Sequence, residues 1–193
     1  MLDRDEFFTD MQLQMADIGQ NQKAGLVLAR VQRLGEVNIL LDRELADAAT
    51  DRIRKTLRPR DTIARVGDCD FIMCLSSLKN AGYAALAANS LVRAFEEPLQ
   101  TQAGPVQATI TLGVSVFPDH GVESTALCRH AEIAFSHALK SSDRYVVYDT
   151  HEEKIKILYP ELREAIGNNR LDVYFQPFWD LRKKKIVGAE SLA

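Results

Sequence analysis

Cysteine is scarce in this chain: Cys69, Cys74 and Cys128 are an odd number without CxxC spacing. That argues against a disulfide framework or a zinc site and suits a reducing compartment. His120, His130, His137 and His151 form no ligand set either. Long apolar runs are also missing. None approaches the roughly twenty residues that span a bilayer, and the N-terminus carries no signal peptide. A cytoplasmic location is therefore expected, with any membrane attachment supplied from outside this stretch. Nor does one sign of charge dominate: 24 Lys and Arg against 27 Asp and Glu leave −3, which argues against nucleic acid as the main partner.

What is present is 193 residues, 46% hydrophobic and 26% charged, enough for one full core and a second, smaller piece. Phe7, Met11, Met15 and Ile18 recur at helical spacing, with a stop at Gly19 to Asn21, and read as a packed helix. An apolar strand follows from Leu26. Leu45, Ala49, Ile53 and Leu57 mark an amphipathic helix on which Asp47 points away from the core. Thr62 to Val66 and Phe71 to Leu75 flank Gly67-Asp68-Cys69-Asp70, the pattern of strand, tight turn, strand. Val106, Ala108, Ile110, Leu112, Val114 and Val116 alternate with Gln107, Thr109, Thr111 and Ser115, which predicts a strand with one buried face. A helix through Ala131 to Phe135 and a strand from Tyr145 to Tyr148 complete this region.

Arg65-Val66-Gly67-Asp68-Cys69-Asp70-Phe71 resembles the signature hairpin of the GGDEF family, diguanylate cyclases that join two GTP into cyclic di-GMP. Gly67 and Phe71 match its two ends. Between them Asp68 stands for the second glycine, Cys69 for the metal-binding acid and Asp70 for the following glutamate. A side chain at 68 crowds and repels phosphate, and a thiol is a poor ligand for a hard cation such as Mg²⁺. In the first strand Arg30 and Gln32 occupy the family's two Asp positions, so a positive charge stands where a cation belongs. Asn38 and Asp47 match the pair that reads the guanine edge. Arg58 and Asp61 fit the inhibitory Arg-x-x-Asp element that binds product. Ala138-Leu139 replaces the Ala-Lys that contacts phosphate, and Lys140 lies about 100° around the helix. Each residue also has a plainer reading, as a solvated helix face or a polar turn.

A second resemblance lies in the tail. His151 to Asn168 reads as a charged helix, Leu171 to Pro177 as a strand, Arg182 to Lys185 as a turn and Ile186 to Leu192 as a further strand. Tyr174-Phe175-Gln176-Pro177 and Gly188-Ala189-Glu190-Ser191-Leu192 are similar to the start of an EAL domain, the cyclic di-GMP phosphodiesterase. The likeness implies a metal-ligand role for Glu190, ligand contacts for Gln176 and Leu192, and Mg or Mn as the metal of a complete domain. A (β/α)8 barrel needs about 250 residues, so only its first strands fit here.

The expected architecture is an α/β, α+β chain: a nucleotide-cyclase-like βααββαβ core with a mostly antiparallel sheet, plus those first strands. The expected organisation is a connector helix at 1–22, a degenerate GGDEF domain at 23–149, a linker helix at 150–169 and the start of an EAL domain at 170–193. The resemblance implies a catalytically inactive regulatory module that senses GTP or cyclic di-GMP for an EAL domain of the same chain, with no cofactor of its own. The alternative is a dimerisation or protein-interaction module that binds no nucleotide, in a cyclic di-GMP receptor. Open strand edges in the tail would be covered either by packing back on the cyclase-like domain or by exchange with a second copy, giving a homodimer.

Overall fold

In the computed structural model, residues 2–19, 22–34, 42–150, 163–164, 166–168 and 174–192 are described. The chain divides into two units, Met1–Asp149 and Thr150–Ala193. Helix α1 (Arg4–Ala16) opens the first unit. It starts where it does because Asp3 and Glu6 cap it reciprocally: Asp3 Oδ1 accepts from the Glu6 N–H at 2.8 Å and Glu6 Oε2 from the Asp3 N–H at 2.9 Å. The order continues β1 (Lys23–Arg33), α2 (Asp42–Thr56), β2 (Thr62–Arg65), β3 (Asp70–Leu78), α3 (Gly82–Ala94), β4 (Leu99–Thr101), β5 (Gly104–Val106), β6 (Ala108–Phe117), α4 (Ser124–Lys140) and β7 (Tyr145–Val147).

Five strands form one sheet in the order β2-β3-β1-β6-β7. Only the β6–β7 pair is parallel, so the sheet is mixed and mostly antiparallel, as expected. Strand alternation splits its side chains between two cores. Ala29, Val31, Phe71 and Leu112 meet α2 and α3 through Leu45, Ile53, Ala88 and Leu91. Leu26, Ile72 and Cys74 meet α1 and α4 through Phe7, Met11, Leu127 and Ala131. Each Val, Leu, Ile, Phe or Met among them contributes about 1.5–3 kcal/mol when fully buried.

Several expectations need correcting. The strand predicted across 106–116 has one buried face in the sequence pattern, but β6 is buried on both, and Val106 belongs to the small β4–β5 hairpin instead. Thr111 and Ser115 look outward by composition; they are buried because α4 covers them, and the Ser115 hydroxyl donates to the Leu127 carbonyl at 2.8 Å. The βααββαβ order has four strands where the sheet has five, it leaves out the β4–β5 hairpin, and only α2 is described between β1 and β2. The reason α4 can lie so close is Gly113: a Cβ there would sit 2.3 Å from both the Ala131 carbonyl oxygen and the Phe135 nitrogen.

Among the described residues of the second unit, β8 (Tyr174–Asp180) and β9 (Lys185–Leu192) form an antiparallel hairpin. Its turn begins at Leu181, because Asp180 Oδ1 accepts the Arg182 and Lys183 N–H groups at 2.8 and 2.9 Å, and Lys185 is already in β9. Tyr174, Phe175, Phe178, Trp179, Ile186 and Val187 are exposed. Most of the expected linker helix at 150–169, and residues 171–173, lie outside the described residues.

Candidate functional site

The signature turn closes where the sequence places it. Val66 N–H and Gly67 N–H both donate to the Asp70 carbonyl, at 2.9 and 3.3 Å, and Val31 N–H donates to the Cys69 carbonyl at 2.9 Å, which ties the turn to β1. A Cβ on Gly67 would lie 3.0 Å from Asp70 Oδ2, so the carboxylate would have to shift to admit one. Asp68 is exposed at the tip.

Arg30 and Asp70 stand directly opposite each other across β1 and β3. Arg30 Nε donates to Asp70 Oδ1 at 2.6 Å and Nη2 to Oδ2 at 3.1 Å, a two-bond fork. The Phe135 ring of α4 covers the guanidinium, with Cζ 5.6 Å from its centroid. The Asp70 hydrogen bond is the main cause of a raised Arg30 pKa, with partial burial working against it. The side chains remain 44% and 36% exposed, so the pair is within reach of a solute. Gln32 follows on β1 and is exposed.

Cys69 does not join this cluster. Its side chain packs against the α2 and α3 core, on the other face of the sheet. The acids and the thiol at the hairpin are thus split between two faces, and among the described residues no three His, Cys, Asp or Glu side chains gather as metal ligands. With a guanidinium forked onto the acid and the thiol turned away, the residues present do not fit the divalent cation of the family hairpin.

On the α2 face, Asp47 is 71% exposed and meets Arg65 Nη1 at 3.6 Å, while Arg65 Nε donates to the Gly67 carbonyl at 2.9 Å. Asp47 does point away from the core, but it faces a cation. Its partner in the guanine-edge reading, Asn38, lies outside the described residues. Asp61 is also engaged: Oδ2 accepts from Arg58 N–H at 2.9 Å and Oδ1 from Ser76 N–H at 3.0 Å, so it staples the α2–β2 loop to β3. Arg58 is exposed and borders a cavity of about 430 Å³ with Leu2, Asp10, Arg54, Asp61 and Thr62. At the end of α4, Leu139 and Lys140 are both exposed.

Arg65 and Phe135 are the site residues that sequence reasoning missed. The signal for Arg65 was its place two residues before Gly67, where its side chain reaches back over the turn. Phe135 had none, because its partner is on β1. In the tail, register places Gln176 opposite Glu190, and Tyr174 opposite Leu192.

The sequence profile of the diguanylate cyclase GGDEF domain matches residues 2–144. The chain belongs to the GGDEF family. This GGDEF domain is 28% identical over 155 residues to signaling protein YkoW of Bacillus subtilis, across 77% of this chain and 19% of that one. It is 27% identical over 148 residues to the bifunctional diguanylate cyclase/cyclic di-GMP phosphodiesterase MucR of Pseudomonas aeruginosa, across 74% and 21%. It is 26% identical over 167 residues to the cyclic di-GMP phosphodiesterase PdeR of Escherichia coli, across 81% and 25%. The chain spans about a fifth of the length of YkoW and MucR. Among solved structures, the GGDEF domain of TpbB (YfiN) from Pseudomonas aeruginosa superposes with a TM-score of 0.72 at 21% identity, over 80% of this chain and 94% of that one. The active GGEEF domain of a diguanylate cyclase from Vibrio cholerae gives 0.63 at 16% identity, over 77% and 97%. Both likenesses concern the fold. No helix among the described residues is long and apolar enough to cross a membrane.

Proposed function

We propose that this GGDEF domain is catalytically silent and serves as a regulatory, guanine-nucleotide-sensing module for an EAL domain whose first strands are residues 170–193. The observation that carries the silence is the Arg30–Asp70 fork. Two-metal phosphoryl transfer needs carboxylates around the cation, and here the acid is bound to an arginine, with Gln32 and Cys69 at the other metal-side positions. The pairing of Gln176 with Glu190 across β8 and β9 supports the EAL reading, since it sets two of that domain's expected site residues side by side. PdeR and MucR carry cyclic di-GMP phosphodiesterase in their names, which fits a parent protein of that class.

Nucleotide bound by this domain is expected to be weakly held, guanine-selective and independent of metal. The rival reading, an interaction or dimerisation module without nucleotide, draws on Asp47 and Asp61 already holding partners. Incubation with GTP and Mg²⁺ or Mn²⁺ tests the silence: turnover to cyclic di-GMP that is abolished in Asp70→Ala would overturn it. Cys69→Asp alone should leave the domain inactive, because Arg30 still stands at the metal position. Melting with GTP and with cyclic di-GMP separates the two readings, since a ligand at a hundred times its Kd adds about 2.7 kcal/mol of stability.

A further inference from the structure

We propose that the Asp70 carboxylate is an internal pseudo-ligand that competes with nucleotide phosphate for Arg30, so that this contact sets the affinity of the site for phosphate anions. This rests on the nucleotide-sensing reading of the same site. A guanidinium recognises two oxygens of a carboxylate and two oxygens of a phosphate with the same planar fork. The Asp70 fork, at 2.6 and 3.1 Å, fills that geometry from within the protein.

Four features make it a competition rather than a fixed strut. Both side chains are partly open to solvent, at 44% and 36%, so an anion can approach without unfolding anything. An ion pair at such exposure is worth at most about 1 kcal/mol, which a multiply charged phosphate can outbid. The Phe135 ring of α4 lies over the guanidinium face, a contact Arg30 keeps without Asp70. Asp70 itself is anchored through its carbonyl, which accepts from Val66 and Gly67, leaving its side chain able to turn without loss of the hairpin. Because the positive charge is covalent, no divalent cation is required for the exchange.

The test uses the full chain with GTP as probe, in excess chelator, comparing wild type, Asp70→Asn, Arg30→Met and the double variant by calorimetry. Asp70→Asn keeps the shape and removes the competing charge, and is expected to tighten GTP by up to about fivefold. Arg30→Met keeps the stem under Phe135 and should abolish binding. The deciding measurement is the double variant. General relief of negative charge would still tighten binding without Arg30, whereas competition predicts no gain there. A gain that persists in the double variant overturns the proposal, as does an unchanged Kd in Asp70→Asn when wild type binds, which would leave nucleotide sensing intact. Binding seen only in Asp70→Asn supports the competition and removes sensing by the wild-type chain. No binding in either sinks the proposal. Should Asp70→Asn fail to fold, as read by its ligand-free melting curve, Asp70→Ser carries the same comparison.

Discussion

On the α4 face of the sheet an arginine and an aspartate meet through two short bonds; on the α2 face the same residue types meet through one contact of 3.6 Å. The difference follows from what carries them. Arg30 and Asp70 are cross-strand neighbours in register, so the ladder brings their Cβ atoms within about 5.5 Å before any side chain moves. Asp47 sits on a helix and Arg65 on an edge strand, so their contact depends on the reach of a flexible side chain. Backbone placement aligns the first pair before any side chain moves, whereas the second pair meets only through side-chain reach.

The largest effect should come from breaking the α4 face at its seat. Gly113→Val drives a side chain into the backbone of Ala131 and Phe135, which cannot move aside as a side chain could. A loss of about 3 kcal/mol or more is expected in urea unfolding. A variant within about 1 kcal/mol of wild type would show that α4 is not seated on β6. Next comes Asp61, which satisfies two backbone N–H groups. Asp61→Ala should cost about 1–3 kcal/mol by the same assay. Retained stability there would release Asp61 for a purely ligand-binding role.

The comparison itself is sharpened by double-mutant cycles. Arg30 with Asp70 should couple by up to about 1 kcal/mol and Arg65 with Asp47 by about 0.2, both falling with salt. Equal couplings would erase the distinction between the two faces.

The smallest effect is a pH slope from the other end of the α4 face. His120 Nδ1 accepts the Val116 N–H at 3.0 Å, and its ring and that of His130 pack on Tyr148. Burial lowers the His120 pKa below its ordinary value, with Asp119 and Asp149 opposing and His130 and Lys23 assisting. The unfolded chain, titrating near about 6.5, then takes up the proton first. Stability should be full above that range and fall as pH drops through it toward the lower folded value. His120→Asn, whose amide oxygen can accept the same N–H, should flatten the slope in melting curves recorded between about pH 5 and 7.

Much of the fold was legible because it depends on local pattern. The hairpin around Gly67, the amphipathic α2 with Asp47 outward and the β7 strand all follow from alternation and turn chemistry. Helix α3 was not read from the sequence, although Ala84, Ala88 and Leu91 share its buried face. The second buried face of β6 was missed because Thr111 and Ser115 read as polar, and only the helix packed over them makes them interior. At the site, motif spacing located the positions of Arg30, Cys69 and Asp70, but spacing says nothing about which face each side chain takes.

The sequence alone determined the strand-turn-strand signature, the presence of Arg30, Gln32 and Cys69 at their positions, and membership in the GGDEF family, since these reside in residue identity and spacing. Tertiary structure decided that Arg30 spends its charge on Asp70, that Cys69 turns to the opposite core and that Phe135 lies over the guanidinium. The physical reason is distance along the chain: Arg30 and Asp70 are 40 residues apart, and only the pairing of β1 with β3, with α4 pressed onto the bare backbone of Gly113, brings those side chains within bonding range.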